Sequence, residues 1–152
     1  MRYLIPILSV PAIVIAAPAA AADVVFTGAL VNSCILNVST PGVLGPSSDG
    51  QTLSSETGTG VAAILAVIAV GSAPTLSFTA PALTTPAGFS GTATTAIRYQ
   101  SLSGRTQAYT TGASTMTGGT LLDTVTINSR VQSPTGFASG LYTVRTVVTC
   151  QQ

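Results

Sequence analysis

The chain has 152 residues, of which 6% are charged, with five Arg and no Lys against four acidic residues, and it lacks both His and Trp. Charges this few, balanced and scattered, exclude a basic face for nucleic acid or anionic lipid, and the absence of His excludes Ser-His-Asp and Cys-His catalytic arrangements. A surface so poor in charge and so rich in Thr, Ser, Ala and Gly suits a subunit whose faces end up against other subunits.

At the amino terminus Arg2 precedes an apolar run over 4–17, followed by the small residues Ala19, Ala20, Ala21 and Ala22. That order predicts a secretory signal peptide over 1–22 and a single mature domain over 23–152. Pro6, Pro11 and Pro18 disfavour a long continuous membrane helix, and no second stretch approaches the ~20 residues that span a bilayer, so no stable membrane span is expected after processing. The expected route is through the periplasm to the cell surface or the medium.

Strand patterns then follow one another, separated by clusters of Gly, Pro, Ser and Asn, with no amphipathic helix of useful length. Val24, Phe26 and Leu30 alternate with small or polar residues, and the same parity continues through Cys34, Leu36 and Val38, predicting two short strands or one bent one. Turn chemistry such as Pro41-Gly42 and Asp49-Gly50 predicts a loop over 40–60. The run 61–70 is apolar at nearly every position; bounding Gly60 and Gly71 and its β-branched content favour a strand over a helix. Because one face of a sandwich strand turns inward, either Ile64 and Ile68 or Leu65 and Val67 must point outward, as a candidate interface stripe.

Period-two alternation recurs at Leu76 with Phe78, at Ile97 with Tyr99, and at Leu121, Val125, Ile127 and Val131, while Tyr109 falls in an apparent loop. In the closing segment Tyr142, Val144, Val148 and Cys150 share one face, opposite Thr143, Arg145 and Thr149. About seven short strands in this length predict an all-β, immunoglobulin-like antiparallel β-sandwich.

Cys34 and Cys150 are the only cysteines, and in an exported protein an even pair predicts a disulfide rather than two free thiols. Two thiolates without His or a nearby carboxylate leave a tetrahedral metal shell incomplete, and no phosphate-binding glycine loop is present, so no metal or cofactor is expected. No enzymatic activity is expected.

The signal peptide, the opening Asn32-Ser33-Cys34, the Pro41-Gly42 turn and the closing Gly140-Leu141-Tyr142 with its alternating Val and Thr resemble the small secreted β-sandwich proteins of the spore coat protein U and chaperone-usher pilin type. In many pilins the disulfide joins the first two strands, whereas here the second cysteine lies near the carboxyl end. The resemblance implies a structural subunit of a bacterial surface fibre or coat, with copies of itself or related subunits, a periplasmic chaperone and an outer-membrane usher as partners. It also implies donor-strand complementation, in which Val24, Phe26, Gly28 and Leu30 are the candidate donor-strand residues, although the same pattern suits the protein's own first strand. The alternative is a self-contained envelope module that binds a glycan or protein.

Overall fold

The structure is a computed structural model and describes residues 25–152. The expected signal peptide over 1–22 and Val24 therefore lie outside the described residues. The described chain is all-β, with antiparallel strands in two layers and no helix.

The first layer is built on β1 (Ser33–Thr40), β4 (Ala63–Val70), β10 (Leu121–Gln132), β7 (Thr94–Ser101) and β8 (Thr106–Thr110), in that spatial order. Two short strands inside the expected 40–60 loop, β2 (Gly45–Pro46) and β3 (Thr52–Ser54), extend the sheet along the far half of β10. They form because the loop folds back tightly: a Cβ on Gly45 would sit 2.1 Å from the Thr57 carbonyl oxygen.

The second layer holds β5 (Thr75–Phe78) between β9 (Ser114–Thr117) and β12 (Val148–Gln151), and pairs β6 (Ala82–Thr84) with β11 (Thr143–Arg145). The two pairs are one ribbon bent at Thr79, whose N–H donates to the Val147 carbonyl (3.0 Å) and whose hydroxyl accepts from the Val147 N–H (2.9 Å). The closing segment is thus two short strands rather than one.

Inward residues from both layers make the core. Leu65, Val67 and Val125 from the first layer meet Leu76 and Phe78 from the second, all at most 3% exposed. Phe78 and Tyr99 stack across the layers with ring centroids 4.0 Å apart, and the Tyr99 hydroxyl donates to Ser114 Oγ at 3.0 Å. The expected alternation along β10 breaks at its start. Leu121 takes a left-handed φ of 68° and is 72% exposed, and the inward position opposite Val67 belongs to Asp123.

The order β1–β4–β10–β7 against β5/β6–β11/β12 is that of strands A-B-E-D against C-F in a seven-stranded immunoglobulin sandwich. Among the described residues no strand occupies the seventh position, on the free side of β11 and β12.

Candidate functional site

That missing position is an open groove. Its walls come from β1 and β4 on one side and β11 and β12 on the other, with Val38, Leu65, Ile97, Ile127, Val144 and Val148 among the apolar residues facing it, and its volume is about 540 Å³. Arg145 is the only charged residue on these walls. The groove explains an otherwise anomalous residue: Val38 has the inward parity of Cys34 and Leu36, yet is 62% exposed, because no strand among the described residues covers it. Val144, Val148 and Tyr142 are likewise half-buried, on the expected face but without a complete cover.

Tyr142 closes the far end of the groove. It stands edge-on to Phe89 and Phe137, and its hydroxyl donates to the Ala138 carbonyl four residues upstream at 3.0 Å, the tyrosine-corner arrangement of immunoglobulin-like sandwiches. Gly140 lets the chain turn there, with φ +148° and Pro86 so close that a Cβ would lie 2.5 Å from it.

At the near end Cys34 and Cys150 are disulfide-bonded with Cα atoms 6.2 Å apart, tying β1 to β12 across the layers. The residues before β1 do not enter the groove. Segment 25–32 forms no strand, and Val25, Phe26, Leu30 and Val31 are 72%, 91%, 73% and 77% exposed. Gly28 and Phe26 sit in this unpaired stretch, so the expected strand pairing of the opening segment begins only at Ser33.

The apolar run of β4 resolves into two faces. Leu65 and Val67 are core, at 3% and 0% exposure, and so are not available to an interface, while Ile64 and Ile68 take the outward parity, Ile68 being 42% exposed. Ile68 lies between Ile35 of β1 and Leu122 of β10 in register, an outward apolar row not singled out in the sequence because its members come from three separate segments. The 40–60 loop packs beside β10 rather than over this row.

A polar cluster was equally illegible. Glu56 pairs with Arg98 and accepts from the Tyr109 hydroxyl, and the Arg130 guanidinium lies 4.1 Å above the Tyr109 ring. Tyr109 is therefore a strand residue of β8 engaged by three neighbours, not a free loop ring, and burial and then the Glu56 hydrogen bond push its phenol pKa up. A sugar-binding platform on this ring loses its support.

Asp123 is the buried carboxylate of the described residues, 3% exposed. Burial pushes its pKa up, but Gly119 N–H (2.8 Å), Ser103 Oγ–H (2.8 Å), Ser103 N–H (3.2 Å) and Thr124 N–H (2.8 Å) donate to it, and the net shift is downward. The folded state thus binds this proton less readily than the unfolded chain. The resulting stability is complete above the ordinary carboxylate pKa and is lost as pH falls through the lower folded value. Asp123→Asn turns an amide donor toward N–H and O–H donors and should cost roughly 2–3 kcal/mol at neutral pH. Urea unfolding at pH 7 and pH 3 checks both points: the gap between wild type and variant should narrow at the lower pH, and a constant gap would assign the cost to packing instead.

Among the described residues no group of three or more His, Cys, Asp or Glu side chains is placed to hold a metal ion. No family model matches the chain, and no curated protein or solved structure matches it.

Proposed function

We propose that this protein is a structural subunit of a surface fibre or coat, and that the groove beside β11 and β12 accepts a β-strand supplied by another chain. One observation carries the reading: a sandwich with the A-B-E-D and C-F order has a mainly apolar groove at the seventh position, with Arg145 its only charged wall residue, while an alternating apolar segment of the same chain stands unpaired outside it. An exposed strand edge beside an apolar groove is a template for β-strand addition, with main-chain hydrogen bonds giving affinity and alternate side chains giving specificity. From Tyr142 to Val148 the groove runs ~20 Å at strand rise, enough for about seven residues, which is the length of 25–31.

In this reading Phe26 and Leu30 fill the groove, Gly28 sits where the walls come close, and a periplasmic chaperone holds the groove before assembly, as in the pilin-type proteins the sequence resembles. Export by a cleaved signal peptide belongs to the same proposal, and the bridged cysteine pair is in keeping with an oxidising compartment.

The test uses mature protein lacking 23–31 and a synthetic peptide of that segment. The shortened domain should associate or aggregate alone and become monomeric with a raised melting temperature on adding the peptide, while a Phe26→Asp peptide should bind at least tenfold more weakly. A shortened domain that is monomeric, cooperatively folded and indifferent to the peptide would overturn the proposal.

A further inference from the structure

We propose that the outer face of the β1–β4–β10 sheet is a contact between two copies of this chain, packed face to face about a two-fold axis with Ile68 at its centre. The inference stands apart from the strand-acceptor reading. It concerns the face of β1 and β4 turned away from the groove, and neither reading needs the other.

The exposed apolar side chains sort by place. Val25, Phe26, Leu30 and Val31 belong to the extension, and Val38, Val43 and Leu141 line the groove. Five others meet on one outward surface. Ile35, Ile68 and Leu122 stand in register across three strands, with Ile35 and Leu122 58% and 67% exposed. Leu102, itself exposed, donates its N–H to the carbonyl of Thr124 (2.9 Å), the next outward position of β10, and Leu121 adjoins Leu122.

Leu121 supplies a second, independent observation. Its left-handed φ of 68° is costly for any residue with a Cβ, and among the described residues no other non-glycine residue has a positive φ. The strain holds a leucine out in water, which brings a single copy no gain. A second copy that covers Leu121 accounts for it.

Chemistry and size point to a second copy as the occupant. β1 and β4 carry no charged residue, and Asp123 of β10 turns inward, so like faces meet without like charges or a stranded ion. Asn37, Thr126 and Asn128 continue the same face beyond the row, a polar rim beside an apolar centre. The face spans five strands, ~24 Å, by the ~27 Å of an eight-residue strand, or ~650 Å² before side-chain relief is added. A standard interface takes about 800 Å² from each partner. Lipid fits less well, because neither β1 nor β4 offers a Lys or Arg to its headgroups.

The symmetry follows from the geometry. Sheets packed face to face lie ~10 Å apart, and the two-fold axis of such a pair runs in the plane between them. The rows bury most surface when their middles coincide. Whether the axis then runs along β4 or across it, Ile68 meets Ile68 of the other copy, so the contact is isologous and closes at two.

The test uses the mature chain carrying Phe26→Asp, which silences the extension without touching the domain, since Phe26 is exposed and unpaired. Sedimentation velocity over a range of concentrations should show a monomer–dimer equilibrium. Ile68→Asp and Ile68→Lys should each weaken it at least tenfold, and an equimolar mixture of the two should dimerise more tightly than either alone, because Asp meets Lys across the axis. Leu122→Asp should weaken the pair as much, and decides alone if the Ile68 variants do not fold. Leu121→Gly should raise the melting temperature of the monomer while weakening the dimer, a combination that a purely structural role for Leu121 does not give. Leu141→Asp, at the groove, should leave the equilibrium unchanged.

A monomer at every concentration would overturn the inference, as would a dimer that Leu122→Asp leaves intact or that Leu141→Asp abolishes. A mixture of the two Ile68 variants no tighter than its components would overturn the stated axis. Flotation of the monomer with phosphatidylcholine–phosphatidylglycerol vesicles, lost in Leu122→Asp, would assign the face to lipid and overturn it too. Failure of the 23–31 peptide to bind the shortened domain would overturn only the strand-acceptor reading.

Discussion

Replacing Cys34 and Cys150 by Ser is expected to remove roughly 4–5 kcal/mol of stability. The bridge joins residues 116 apart in sequence, so in the unfolded state it closes a loop that includes nearly the whole described domain. The chain-entropy estimate for a loop of that length is ~4.8 kcal/mol, against a total stability of ~5–15 kcal/mol for an ordinary domain. The position strengthens the expectation, because β1 and β12 belong to different layers and share no ladder hydrogen bonds; that edge is otherwise held by side-chain packing and by the hydrogen bonds of Asn32 and Gln152 to Ser72. Urea unfolding of the oxidised protein and of the double variant measures the difference. A loss under about 1 kcal/mol would mean that the unfolded chain is already confined by something other than the bridge.

The second large effect belongs to the ring pair that joins the two layers. Phe78→Ala should cost roughly 3–5 kcal/mol, since the side chain is 2% exposed and its removal leaves a cavity against a stacked Tyr99 that cannot move without leaving Ser114. Tyr99→Phe keeps the stack and loses one hydrogen bond, for about 1 kcal/mol. Tyr142→Ala should fall below Phe78→Ala in the isolated domain, because Tyr142 is half-buried on an open wall. Thermal unfolding of the three variants ranks them. A Tyr142→Ala loss equal to that of Phe78→Ala would show the groove wall to be as well packed as the core, and would count against an open groove.

Much of the fold was legible in the sequence because it is local. Period-two alternation placed Leu76, Phe78, Ile97, Tyr99, Val125 and Val131 inward, and all six are at most 2% exposed. The run of β4 read as a strand from its β-branched content and bounding glycines, and the two cysteines allowed only one intramolecular pairing. Leu121 broke the pattern because a left-handed backbone conformation at a strand entrance leaves no mark on alternation.

The candidate site was legible in half. Alternation identified Phe26 and Leu30 as side chains that fit one face of a sheet, but alternation is the same for a strand in its own sheet and one destined for another. Which face of β4 points outward, the bend that splits the closing segment at Thr79, and the meeting of Glu56 with Arg98 across 42 positions of sequence depend on pairings between distant segments.

What the sequence alone determined was the all-β class, the inward parity of the main core strands and the bridge, since each follows from neighbouring residues or from a count. Only the tertiary structure decided that no strand among the described residues fills the seventh position of the sandwich, and that Val38, Val144 and Val148 face the groove there. The physical reason is that a groove is a property of the space between two edges: it exists only once β1 and the β11–β12 segment have been set side by side by their partners, β4 on one layer and β5 and β6 on the other.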